Sequence, residues 1–197
     1  LWKKFWKSFK KTLQNKLMSY CSDVNSGKLN YYHKYYHDNI YGFPPKTEKE
    51  LFGRLVLEIN QAGLSWDIIL KKEKGIKNAY RDYSFFKIAE FNNNDIQRIL
   101  NDNEVIRMKR KIEAIIYNAK KIVSITEKHN SFKRFLDMHH PLPLSGWLSV
   151  LKNEFKFVGK EICREFLISA GYLKGAHEKS CPIYKKVIKE NPMWLCH

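Results

Sequence analysis

A chain of 197 residues with 44% hydrophobic and 28% charged content can bury the core of one compact domain, and none of its apolar runs approaches the roughly 20 residues a bilayer span requires. The formal net charge of +16 points to a polyanionic partner, nucleic acid or an anionic membrane surface, unless it only reflects a lysine-rich genome. Four cysteines (Cys21, Cys163, Cys181 and Cys196) form no disulfide-dense pattern and no signal peptide with an apolar centre precedes them, so a reducing, cytoplasmic compartment is expected.

Residues 1–17 (LWKKFWKSFKKTLQNKL) stand apart. On a helical wheel Leu1, Trp2, Phe5, Trp6, Phe9, Leu13 and Leu17 share one arc of about 160°, with every lysine but Lys16 opposite. This is a basic amphipathic extension, either a membrane-surface or targeting helix or a segment ahead of a natural start at Met18. The expected organisation is this extension, a domain over 18–185 and a tail over 186–197.

The domain reads as helix after helix. Thr47-Glu48-Lys49-Glu50 predicts a capping box that opens a helix through Leu51, Phe52, Leu55, Val56 and Ile59. Ala62-Gly63 ends it, and Ser65 caps the next, from Trp66 to about Lys72. Asn93 or Asn94 caps 95–100. Ile112, Ile115, Ile116, Ala119, Ile122 and Val123 mark the longest helix, over about 110–128. Ser131 opens another through Met138, residues 139–143 break the pattern, and helices follow over 145–153 and 159–170. With no period-2 strand and no internal repeat, the fold class is all-α.

Two features carry chemistry. His177-x3-Cys181 places an imidazole and a thiol one helical turn apart, half of a tetrahedral zinc site; Cys21 and His37 are candidates for the other half. The stretch LEINQAGLSW, residues 57–66, holds a carboxylate, two amides and an indole around a glycine turn. Glu58 falls about 20° outside Leu51 on the wheel, at the border of the apolar stripe, where it is either a cleft group or a solvated acid. Gly63-Leu64 is either a wedge on an exposed turn or a helix cap followed by a core leucine.

Several segments together resemble the bacterial 3-methyladenine DNA glycosylase I family. They are Tyr36-His37-Asp38-Asn39-Ile40-Tyr41-Gly42; Glu58 with Gln61-Ala62-Gly63-Leu64-Ser65-Trp66; Ile106-Arg107 with Lys111-Ile112 and Asn118-Ala119; Phe155-Lys156-Phe157-Val158-Gly159 with Ile162-Cys163; and His177-x3-Cys181. They occur in family order over about 18–185. The resemblance implies an all-α fold of the helix-hairpin-helix glycosylase superfamily, with one structural zinc ion on Cys21, His37, His177 and Cys181. It implies release of flipped-out 3-methyladenine from alkylated double-stranded DNA, with Glu58 the catalytic acid that meets the base. Tyr36 and Trp66 become stacking walls, with Tyr41 a third base-binding ring, since a cationic purine favours aromatic faces and a carboxylate.

Gly63, Leu64, Arg107, Lys109 and Lys111 are the expected DNA contacts; the last three fall in a run of cations ahead of the long helix, where backbone N–H groups can also hold phosphate. No lysine stands where a Schiff-base lyase would place one, so the reading is monofunctional. The sequence departs from the family at Glu104 and Arg110, where the hairpin usually has glycines. It departs also at Tyr41, often Trp, at Ile59, usually small, and in a gap from Cys21 to His37 about three residues longer than usual. A monomer is expected, with a membrane partner only if residues 1–17 are native and exposed. Two other readings stay open: a helical DNA-binding or damage-sensing protein without catalysis, and a membrane-surface protein acting through residues 1–17.

Overall fold

The computed structural model describes residues 19–196, and over these the chain is built of helices, with no strand. The amphipathic segment 1–17 lies outside the described residues. Eleven α-helices follow in order: α1 (Tyr20–Asn25), α2 (Tyr31–Asn39), α3 (Glu48–Gln61), α4 (Trp66–Ala79), α5 (Phe85–Ala89), α6 (Asn93–Leu100), α7 (Lys109–His129), α8 (Phe132–Asp137), α9 (Leu144–Glu154), α10 (Lys160–Ser169) and α11 (Pro182–Lys189). None is long and apolar enough to cross a membrane.

Local chemistry sets most boundaries. Thr47 caps α3 by accepting from the Glu50 N–H at 3.1 Å. The expected reciprocal bond falls one residue early: the Glu50 carboxylate accepts from the Lys46 N–H at 2.7 Å, not from that of Thr47. Ser65 caps α4, which runs on to Ala79 because Ile69, Leu70, Ile76 and Ala79 keep one face buried through the lysine-rich turn that seemed to end it. The cap of α6 is Asn92 rather than Asn93 or Asn94; its amide oxygen takes the Asn94 N–H while Asp95 returns a bond to the Asn92 N–H. Helices α1, α2, α5 and α11 were not foreseen. The face α2 buries is His33, Tyr36 and His37, which carries no apolar stripe to read.

Helix α3 lies at the centre. Leu51 through Asn60 are all buried, against α10, α4, α7 and α8. Glu48 in its first turn accepts from the backbone N–H groups of Phe132 and Lys133, at 2.8 and 3.1 Å, capping α8 from across the chain. Arg54 donates to the carbonyls of Phe43 and Ser169. At its far end, Lys111 donates to the carbonyls of Asn60 and Ala62, each at 2.7 Å. This corrects the expectation that Lys111 grips DNA: its side chain is 1% exposed, and the helical period of α7 turns it inward to cap α3 while Lys109 and Arg110 stay outside.

Around this helix a single large core gathers Phe52, Tyr80, Ile88, Ile115, Phe132, Trp147 and Phe166. A small second cluster (Cys21, Cys181, Ile183 and Val187) joins the first described helix to the last. Replacing Lys111 with Met would leave two buried carbonyls without their donor, and guanidinium denaturation is expected to show a loss of roughly 2–4 kcal/mol.

Candidate functional site

The turn Ile40–Phe43, helix α3 and the start of α4 bring the predicted base-site residues together. Glu58 points into the interior at 5% exposure. Tyr36, 4% exposed, sets its ring 5.1 Å from that of Trp66, the two planes meeting at 68°. The expected pair of stacking walls is therefore a corner, with Trp66 half-buried and the two rings T-shaped. The Tyr41 ring lies 5.5 Å from Tyr36, tilted by 30°, and its hydroxyl donates to the Glu165 carboxylate at 2.9 Å. Ile59 belongs to the main core, wholly buried.

The electrostatics of Glu58 are unusual. Burial first, then the negative charge of Glu165, push its carboxyl up to about 8, against a small opposing effect of Arg164. Tyr36 and Tyr41 are also raised by burial, each with a further push from a nearby carboxylate. The result is a proton-holding acid, almost wholly buried, in an aromatic corner. A separate surface groove of about 950 Å³ runs beside Lys49, Arg54 and Leu57 of α3, and neither Glu58 nor Trp66 lines it.

A second cluster is built from the chain ends. Cys21 of α1, His37 of α2, His177 and Cys181 are all buried, with their ligand atoms within 4.8 Å of one another. Cys21 Sγ lies 3.7 Å from His177 Nδ1; Cys181 Sγ lies 3.6 Å from His37 Nε2 and 3.8 Å from His177 Nδ1. A tetrahedral ion with bonds of about 2.3 Å to sulfur and 2.0–2.1 Å to nitrogen needs S–N edges of about 3.6 Å, so the spacing fits. The outer ring nitrogens are already engaged. His177 Nε2 faces the Tyr41 carbonyl at 2.8 Å and His37 Nδ1 faces Asp38 at 2.7 Å, which leaves the inner nitrogens free to ligate. The long gap from Cys21 to His37 is taken up by residues 26–30 between α1 and α2, with Gly27 at φ +74°. Gly42, at φ +83°, is held to glycine twice over: a Cβ there would come within 2.5 Å of Ala176, beside His177.

The expected DNA-facing residues form two loops. Gly63 is exposed at φ +78°, as the tight turn between α3 and α4 requires, while Leu64 is partly buried against the core. Arg107, Met108, Lys109 and Arg110 are exposed where α7 begins. The loop between α6 and α7 is braced on α4: Lys72 donates to the Asn103 carbonyl, and the Glu104 backbone packs so tightly on Gly75 that a Cβ there would clash at 2.4 Å.

Sequence reasoning missed Glu165, which lies about 60° from Ile162 at the edge of α10's apolar face, the same border signal that marked Glu58. It also missed Tyr20, whose hydroxyl reaches His33 Nδ1 at 3.2 Å.

An all-helical domain with a Cys2His2 cluster tying its ends and a buried acid among aromatic rings defines a narrow class. Residues 26–143 match the methyladenine glycosylase family, and the chain belongs to that family. DNA-3-methyladenine glycosylase 1 of Escherichia coli (strain K12) is 33% identical over 168 residues, covering 76% of this chain and 89% of the relative. The DNA-3-methyladenine glycosylase of Haemophilus influenzae is 31% identical over 166 residues, 75% and 89% of the two chains. Among solved structures, that of 3-methyladenine DNA glycosylase I from Staphylococcus aureus, described as the structural basis of 3-methyladenine recognition, superposes with a TM-score of 0.74 at 29% identity, covering 84% of this chain and 97% of that one.

The raised Glu58 carboxyl makes stability depend on pH. The folded chain keeps a proton that the unfolded chain releases near 4.5, so burying Glu58 costs nothing extra below that pH and opposes folding increasingly up to about 8. Glu58→Gln is therefore expected to match the parent near pH 4.5 and exceed it by roughly 3–5 kcal/mol at pH 8, read from denaturation curves at the two pH values.

Proposed function

We propose that this protein is a monofunctional DNA-3-methyladenine glycosylase that removes flipped-out 3-methyladenine from alkylated duplex DNA and leaves an abasic site. One observation carries the reading: the Glu58 carboxyl, almost wholly buried and shifted toward neutrality, near the rings of Tyr36 and Tyr41, with half-buried Trp66 set against Tyr36. A neutral base gains little from such a corner. A cationic purine gains ring-face contact of roughly 0.5–2 kcal/mol and draws Glu58 toward its ionised form, making a charge-assisted hydrogen bond available.

The chemistry is modest once the base is held. The C1′–N9 bond breaks, its electron pair enters the alkylated ring and cancels the positive charge, and water adds to C1′ with loss of a proton. A base that leaves neutral needs little acid assistance, so recognition is the main task of Glu58. The buried Lys111 has its ammonium committed to two carbonyls, in keeping with water rather than an amine as nucleophile.

Around this centre, Gly63-Leu64 is the wedge that fills the gap left by the base. Arg107, Lys109 and the start of α7 take phosphates, and Lys111 serves as their scaffold. The helices α6 and α7 with the loop between them are the helix-hairpin-helix unit. The Cys2His2 cluster holds one zinc ion, a closed structural site with no open coordination position, its donors already spaced and oriented for it.

The metal-loaded chain is expected to release 3-methyladenine from methylated duplex, with a rate that falls as salt rises. Glu58→Gln is expected to lower single-turnover release on the order of 10²-fold and Trp66→Ala by about 2- to 30-fold. Binding of methylated duplex without any release would replace this reading with a damage-sensing one. Elemental analysis is expected to find one zinc per chain, and stripping it with chelator is expected to lower Tm by many degrees while Cys196→Ser leaves zinc content unchanged.

A further inference from the structure

The base corner holds a second acid that the proposed mechanism leaves unused. Glu165 comes from α10, 124 residues beyond Tyr41, and both of its oxygens are held: Oε2 accepts from the Tyr41 hydroxyl at 2.9 Å, and Oε1 faces the Arg164 guanidinium at 2.7 Å. Arg164 is shared with Glu161, at 3.0 Å, so one guanidinium is divided between Glu161, whose side chain is 72% exposed, and the charge of Glu165, 30% exposed. That charge reaches the site, since Glu165 is felt at Glu58 and makes a second negative charge there harder to hold. The connection exists because residue 41 is a tyrosine, whose phenol hydroxyl lies toward α10 while its ring lies against Tyr36.

Building on the proposed base site, we propose that Glu165 is a positioning and charge-selecting residue. Anchored by Tyr41 and Arg164, it makes the corner a two-acid pocket that discriminates a cationic base from a neutral one of the same shape. It acts through Tyr41 and through its field at Glu58, not by touching the base. With Glu165 charged, Glu58 holds its proton in the empty pocket; a cation lets it ionise and a neutral base does not. A merely structural anchor would instead change affinity for both bases alike.

The test is isothermal titration of the full, metal-loaded chain with 3,9-dimethyladeninium, a fixed cation, and with neutral 9-methyladenine. Glu165→Gln is expected to weaken the cation on the order of ten-fold while leaving the neutral base within about two-fold. Tyr41→Phe, which keeps the ring and frees the carboxylate, should fall between parent and Glu165→Gln. Arg164→Gln removes the counter-charge and should move the ratio the other way, favouring the cation further; this arm decides the matter if Glu165→Gln does not fold. No cation preference in the parent, equal weakening of both bases, or an unchanged ratio in Arg164→Gln would each overturn the proposal. Release of 3-methyladenine from methylated duplex is measured in parallel. A parent chain that shows the cation preference yet releases nothing defeats the enzymatic reading and leaves this one standing.

Discussion

A helix surrounded by protein can carry a charge only where its neighbours answer it, and α3 carries two within one turn. Arg54 is answered by two carbonyls, and burial still lowers its guanidinium to about 10. Glu58, one turn on, is answered by no hydrogen bond among the described residues; burial and the charges of Glu165 and Arg164 set its state. The fold around α3 is what makes that tolerable. The carboxyl keeps its proton, aromatic rings line it, and Lys111 satisfies the helix end that would otherwise compete for water. In the proposed function, stability withheld at this one position is what leaves the site receptive to a positive ligand.

Much of this was legible in the chain. The 3.6-residue period located α3, α7 and α10, and Ser65 and Ser131 marked the starts of α4 and α8. Some short motifs turned out to hold architecture rather than chemistry. The buried Asn118 amide both donates to and accepts from the Lys156 backbone, at 3.0 and 2.8 Å, clamping the FKFVG loop against α7. What periodicity could not reveal were residues whose role depends on distant partners. Lys111 looked like one cation in a basic run until α3 was seen ending beneath it. Glu165 sat at a stripe edge with no local sign of Tyr41. Helix α2 escaped because it buries histidines and a tyrosine, whose worth is set by the Cys2His2 cluster and by Trp66 rather than by hydrophobicity.

The two sites are not independent. Tyr41 lends its carbonyl to His177 and its hydroxyl to Glu165, and Gly42 next to it allows the His177 loop to close in. Tyr36 and His37 are neighbours on α2, one facing Trp66 and the other the cysteines. A shift in the cluster of sulfur and nitrogen ligands would therefore be transmitted to the aromatic corner over one or two residues.

Cys21 and Cys181 stand at opposite ends of the described chain, and Cys21 and His177, 156 positions apart, come within 3.7 Å. During synthesis the first half of that cluster leaves the ribosome long before its complement exists. Until that complement emerges, the Cys21 thiol and the His37 imidazole lack their partners, even though α2 can already pack against α4.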